Sequence, residues 1–126
     1  MDRLDEVEEL SRLAEELATD DDVDTQALWR CVRAKVLARQ GAFDSAEAHM
    51  HEALEILGST DAVLLKFGAL LDLAEVYRLA ERKADSRAAL ADAIQLAELK
   101  GSPIMTSAAE SFLNLLDERP LVSRRP

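Results

Sequence analysis

An all-α fold is predicted by three observations. The composition is dominated by Ala, Leu, Glu, Asp and Arg, with only three Pro and four Gly among 126 residues. Apolar positions recur at helical spacing, and a helix-pair pattern returns forty residues after its first appearance. In the first copy Ala34, Leu37, Ala46, Met50 and Ala53 occupy the places that Ala74, Tyr77, Ser86, Leu90 and Ala93 take in the second, small matching small and large matching large. A unit of this length cannot bury its apolar face alone and must stack on a neighbour. The expected architecture is a short right-handed superhelix of six antiparallel helices, forming one domain over residues 1–119 around a single core.

The first helix is expected over 3–18, where Leu4, Val7, Leu10, Leu13, Ala14 and Leu17 recur with acids between them. Asp20, Asp21 and Asp22 then break the pattern and read as a solvated run, placed where carboxylates cap free N–H groups and favour the next helix dipole. The second helix, 25–40, ends at Gly41, a residue suited to the left-handed conformation that closes a helix. The third, 44–57, opens on Asp44 with Glu47 three positions on, a capping-box arrangement, and stops at Gly58.

The fourth helix, 61–81, is apolar on most sides, with Lys66, Asp72, Glu75, Arg78 and Arg82 as its chief polar residues, so it should lie at the centre of the stack. Gly68 in its interior costs about 1 kcal/mol relative to Ala, and close approach of another helix is the expected compensation. The fifth, 84–99, stops at Gly101, after which Ser102 and Pro103 supply an N-cap and a first-turn proline for the sixth, 103–118. Residues 120–126 hold two prolines and two arginines and should form a disordered tail.

In the forty-residue frame the first helix falls where the second member of a pair belongs, and the sixth where a first member belongs. The order is therefore B-A-B-A-B-A, with half a repeat at each end. The last helix carries Ile104, Met105, Phe112, Leu113, Leu115 and Leu116, more apolar surface than one neighbour obviously covers. It is the candidate for a homodimer contact centred on Ile104, Phe112, Leu113 and Leu116; the alternative is that the groove beneath the fourth helix absorbs them.

The net charge of −10 is unevenly placed: residues 1–24 hold eleven acids against two bases, and the rest is nearly balanced. Such a surface repels phosphate backbones and anionic membrane, and a basic partner surface suits it better. The single cysteine, Cys31, permits no intramolecular disulfide, the acidic opening is unlike a secretory signal, and no run approaches the roughly 18 apolar residues that span a bilayer. A soluble, cytoplasmic protein is expected.

Chemistry-bearing patterns are sparse. Asp20, Asp22 and Asp24 match the first ligand positions of a calcium loop, but Thr25 stands where glycine is needed and Cys31 where the bidentate glutamate belongs. His49 and His51 lie two apart on a helix, so their side chains diverge and cannot share a metal. Arg30 and Arg33 beside Cys31 favour a thiolate, yet the residue lies mid-helix with no base partner and reads as a small buried hydrophobe. Trp29 reads as core. No phosphate loop, zincin motif or nucleophile elbow occurs, so no enzyme, metal or cofactor is expected.

The matched positions resemble the tetratricopeptide repeat, in which small residues let the two helices of a pair approach closely. Ala34, Ala46 and Ala53 match that small set in the first copy and Ala74, Ser86 and Ala93 in the second. Trp29, Val32 and Val36 echo the family's opening Trp-x-x-Leu-Gly-x-x-Tyr one residue out of step. Departures include Glu81 where the first copy has Gly41, Lys83 where it has Phe43, and a spacing longer than the usual thirty-four. Residues 20–102 are also similar to the C-terminal repeat region of large bacterial signalling proteins with nucleotide cyclase and AAA-type ATPase domains, through Val23 to Gly41, Thr60-Asp61, Ala69 to Val76 and Lys100-Gly101. That likeness implies a detached arm or a truncated relative.

The resemblance implies a non-catalytic protein-interaction or regulatory module whose concave face, lined by Leu28, Cys31, Lys35, Ala38, Arg39, Leu71, Glu75 and Arg78, holds a protein or peptide segment. A competing expectation is a small-molecule sensor, with a ligand buried between the second, fourth and sixth helices.

Overall fold

Within residues 23–58 and 60–117, which the computed structural model describes, the chain is all-helical, and no strand occurs among the described residues. The helices are α1 (Val23–Arg39), α2 (Phe43–Gly58), α3 (Val63–Leu79), α4 (Lys83–Lys100) and α5 (Pro103–Asp117). The helix expected over 3–18 and the tail expected over 120–126 lie outside the described residues. Short connections turn each helix back along its predecessor, so α1, α3 and α5 run one way and α2 and α4 the other. Each helix packs on the next; α1, α3 and α5 also touch in series, whereas α2 and α4 do not touch. As the apolar pattern of its sequence requires, α3 contacts all four other described helices.

The turn that closes α1 returns forty residues later in different residues. Gln40, Gly41 and Ala42 donate their N–H groups to Val36, Ala38 and Leu37 at 3.1, 3.1 and 2.8 Å. Ala80, Glu81 and Arg82 donate to Val76, Arg78 and Tyr77 at 3.1, 3.0 and 2.8 Å. Gly41 has φ 84° and Glu81 φ 61°, so the glutamate adopts the left-handed conformation that the glycine adopts freely. Glu81 therefore lies in the turn and not in the helix expected to reach it; α3 stops at Leu79. A left-handed non-glycine residue costs about 1–2 kcal/mol, which the three turn hydrogen bonds offset.

The expected capping box at Asp44 and Glu47 does not form. The helix already starts at Phe43, the Ala42 carbonyl accepts from Ala46 N–H at 3.0 Å, and the Glu47 carboxylate is bonded elsewhere. Ahead of α5 the turn chemistry follows the sequence: Gly101 sits at φ 71°, Ser102 N–H reaches the Ala97 carbonyl at 3.1 Å, and Ser102 Oγ accepts from Met105 N–H at 3.2 Å.

The six small residues of the matched pattern, Ala34, Ala46, Ala53, Ala74, Ser86 and Ala93, have no exposed surface. Across the α3–α4 crossing, Ser86 Oγ donates to the Ala74 carbonyl at 2.8 Å, so these small positions meet backbone to side chain. Met50, Leu57 and Leu90 fill the space beside the crossings. A second cluster of Phe67, Ala93, Ala97, Met105 and Ala109 seats α5 on α3 and α4.

Two expectations are corrected here. Leu116 is a core residue, 3% exposed, and Phe112 and Leu113 pack against the same core, so three of the four residues expected at a homodimer contact are taken up within the chain. Only Ile104 stands open. Gly68 is not a point of close approach either, because a Cβ built there meets nothing within 4 Å. Gly68→Ala is therefore expected to stabilise the chain by about 0.5–1 kcal/mol, read as a rise in melting temperature of a few degrees. An unchanged or lower midpoint would mean that something does lie against this position.

Candidate functional site

The space beside Gly68 is a half-open cleft of about 110 Å³ between α1 and α3. Ala27, Leu28 and Cys31 line it from α1, Leu64, Leu65 and Ala69 from α3, and Leu57 from the end of α2. The glycine leaves open what any larger residue would begin to fill. Two carboxylates, Asp24 and Asp72, border the cleft, and among the described residues no cation lines it. Its walls are thus apolar and its rim is acidic.

Burial raises the Asp72 carboxyl above its usual range, an effect opposed by Lys35, whose Nζ lies 3.2 Å away across the α1–α3 contact. Cys31 is buried, and its thiol is pushed up to about 12, chiefly by burial and then by Asp72, with Lys35 opposing. It stays protonated at neutral pH and serves as cleft wall, not nucleophile. The neighbouring Arg30 is engaged with the Gln26 carbonyl at 2.9 Å and stacks on Trp29 with its guanidinium carbon 4.4 Å from the ring centroid.

Of the residues expected on a concave face, Leu28 and Cys31 border this cleft. Lys35 is paired with Asp72, Ala38 and Leu71 pack into the core, and Arg39 lies exposed at the far end of α1. Glu75 and Arg78 bind each other through two hydrogen bonds of 2.8 Å. Of the charged members of the set, Glu75 and Arg78 thus pair with each other and Lys35 pairs with a residue outside it. Sequence reasoning did not bring Asp24, Leu64, Gly68 and Asp72 to the cleft; Gly68, the one interior glycine of an otherwise apolar helix, was the available signal.

A second polar constellation stands outside the cleft. The Glu47 carboxylate accepts from Tyr77 Oη and Arg82 Nη1, both at 2.8 Å, and pairs with His51 Nε2 at 3.2 Å. Arg82 also donates to Asp85 at 2.8 Å and lies over the Tyr77 ring at 4.6 Å. These bonds tie the start of α2 to the end of α3. Thirty residues separate Glu47 from Tyr77, and forty residues on, the same positions hold Arg87 and Asp117, which form an ion pair. One inter-helix link is thus made twice with different chemistry.

The Arg82 and Tyr77 hydrogen bonds hold the Glu47 carboxyl at about 2, below its ordinary 4.5, while burial raises the Tyr77 hydroxyl to about 12. Because the folded value of Glu47 is depressed, its stabilisation is complete above about pH 4.5 and is lost as pH falls towards 2. Asp72 runs the other way: its raised folded value favours the fold when protonated and becomes a cost as pH rises above the unfolded value. Glu47→Gln is expected to cost about 1 kcal/mol at pH 7, since solvent screens the exposed Arg82. It should also flatten the acid limb of thermal melts between pH 4.5 and 2. A variant melting in parallel with the parent across that range would count against the network.

The two histidines serve separate partners: His51 pairs with Glu47, and His49 lies edge-on to Trp29 with ring centroids 5.8 Å apart and Glu52 at 3.4 Å. Among the described residues no group of three or more His, Cys, Asp or Glu is placed to hold a metal. No helix among them is long and apolar enough to cross a membrane. No family model, curated protein or solved structure matches the chain.

Proposed function

We propose that the chain is a non-catalytic interaction or regulatory module of tetratricopeptide-repeat type, which holds a segment of another protein by seating one apolar side chain in the α1–α3 cleft. The observation that carries this reading is the size and character of the cleft. An apolar cavity of about 150 Å³ holds a benzene ring and ordinary small-molecule sites span about 300–1,000 Å³. A half-open space of about 110 Å³ rimmed by exposed Leu28 and Leu64 suits one aliphatic side chain projecting from a larger partner. The recurrence of turn geometry, buried small residues and inter-helix links at forty-residue spacing supports the repeat character. By the resemblance of residues 20–102, the module is an arm of a bacterial signalling or transcription-regulating ATPase or cyclase system, working in the cytoplasm.

The second reading, a small-molecule sensor, is favoured by one observation: polar Asp24 and Asp72 converge on the same apolar cleft. A peptide array carrying single apolar anchors in flanks of varied charge separates the two. Peptides retained by the parent chain and weakened at least tenfold by Gly68→Leu, with helical circular dichroism unchanged, support the interaction reading. An array that retains nothing, beside a metabolite panel in which a compound raises the melting temperature, transfers the cleft to the sensor reading.

A further inference from the structure

We propose that, of the two joints among the described helices, the one between the α1–α2 hairpin and α3 is the one that moves, opening and closing at the cleft, and that a side chain seated there locks it. The inference goes beyond the reading above, because it holds whichever kind of occupant the cleft takes.

One end of this joint is pinned. Glu47 at the start of α2 accepts from Tyr77 and Arg82 at the end of α3, both at 2.8 Å. The opposite end holds the cleft, where the first turns of α1 and the end of α2 face the first half of α3 across about 110 Å³. The polar bonds of the α2–α3 turn stay local there: Thr60 Oγ donates to the Leu57 carbonyl at 2.7 Å, and Lys66 Nζ to the Thr60 carbonyl at 2.5 Å. Lys35, one turn beyond Cys31, reaches Asp72 at 3.2 Å and marks where α1 and α3 close on each other. Before that point a Cβ at Gly68 would meet nothing within 4 Å. A face that meets empty space forfeits the attraction that holds a packed crossing at one separation. Each hairpin is itself closed by small residues with no exposed surface, so the freedom goes to the joint between them.

The next joint, between the α3–α4 hairpin and α5, supplies an internal comparison. Forty residues on from the cleft walls, Phe67 stands for Ala27, Leu71 for Cys31 and Phe112 for Asp72. Leu28 and Leu57 become Gly68 and Ala97 in return, and on balance the second set is the larger. Phe67 is buried with Met105, Ala97 and Ala109 in one cluster at this joint, and Phe112 packs against the main core. The same crossing is thus filled in its second occurrence and left open in its first. A side chain entering the cleft would give the first joint the contacts that the second already has, and would fix the placement of α2 relative to α4.

The test places nitroxide labels on the full chain at exposed positions that correspond in the two hairpins: Glu55→Cys with Gln95→Cys at the cleft end, and Ala48→Cys with Ala88→Cys at the pinned end. Cys31 is buried and its thiol protonated, so it stays unlabelled. Double electron–electron resonance should give a distance distribution about twice as broad at the cleft end as at the pinned end. Gly68→Leu, which fills the cleft, should narrow the cleft-end distribution to the width of the other, with circular dichroism unchanged. Gly68→Ala, which alters the backbone alike but leaves most of the space open, should keep it broad. Should Gly68→Leu not fold, Cys31→Leu, the residue the second joint has at that place, carries the same expectation. Equal widths in the parent overturn the proposal, as does a cleft-end distribution left broad by the filling variant or narrowed as much by Gly68→Ala. No partner enters the measurement, so its outcome is separate from that of the peptide array.

Discussion

Leu116→Glu is expected to destabilise the chain by about 3–5 kcal/mol at every protein concentration, because it places an unpaired carboxylate where a leucine is 3% exposed in the core shared with α1 to α4. The alternative, a contact between two copies through the last helix, predicts a folded mutant that merely loses dimer mass. Urea unfolding at two concentrations a hundredfold apart, with light scattering on the same samples, distinguishes them. A core role gives a lower midpoint that does not move with concentration. Ile104→Glu on the same helix should stay within about 0.5 kcal/mol of the parent, since that side chain is open. A stable, monomeric Leu116→Glu derived from a dimeric parent would reinstate the contact.

Ala46→Leu carries the second large effect, a loss of about 1–3 kcal/mol. The residue has no exposed surface at the α1–α2 crossing, and added methylenes can be housed only by shifting a helix or forcing a strained rotamer. Ala48→Leu, exposed on the same helix, is the control and should be nearly neutral. Should the two substitutions melt alike, small residues would not be what sets the helix separation.

Much of this arrangement is legible in the residues. The small positions at forty-residue spacing are buried, and Gly41 and Gly101 close helices in the left-handed conformation. What escaped sequence reasoning shares a physical origin: it depends on partners distant in the chain. Glu81 looks like a helix continuation because its own preference is helical, and only the turn bonds to Tyr77 and Arg78 hold it left-handed. Glu47, three residues beyond Asp44, imitates a capping box, while its actual partners Tyr77 and Arg82 are thirty and thirty-five residues away. Apolar periodicity marks Leu116 as needing cover without saying whether the cover comes from the same chain. The cleft belongs to this class too, because an interior glycine marks equally a close approach or an empty space, and neighbouring coordinates decide.

The separation of α2 from α4 has a mechanical consequence. Among the described helices, contact between the leading hairpin, α1 with α2, and the trailing pair, α4 with α5, passes through α3 alone. A pull applied across the molecule is borne in series by that one rod, with Arg82, just ahead of α4, reaching over to Glu47 of α2 as a polar stay. The compliance of the whole is then set by how α3 slides and tilts against its neighbours, as in a spring whose stiffness resides in a single coil.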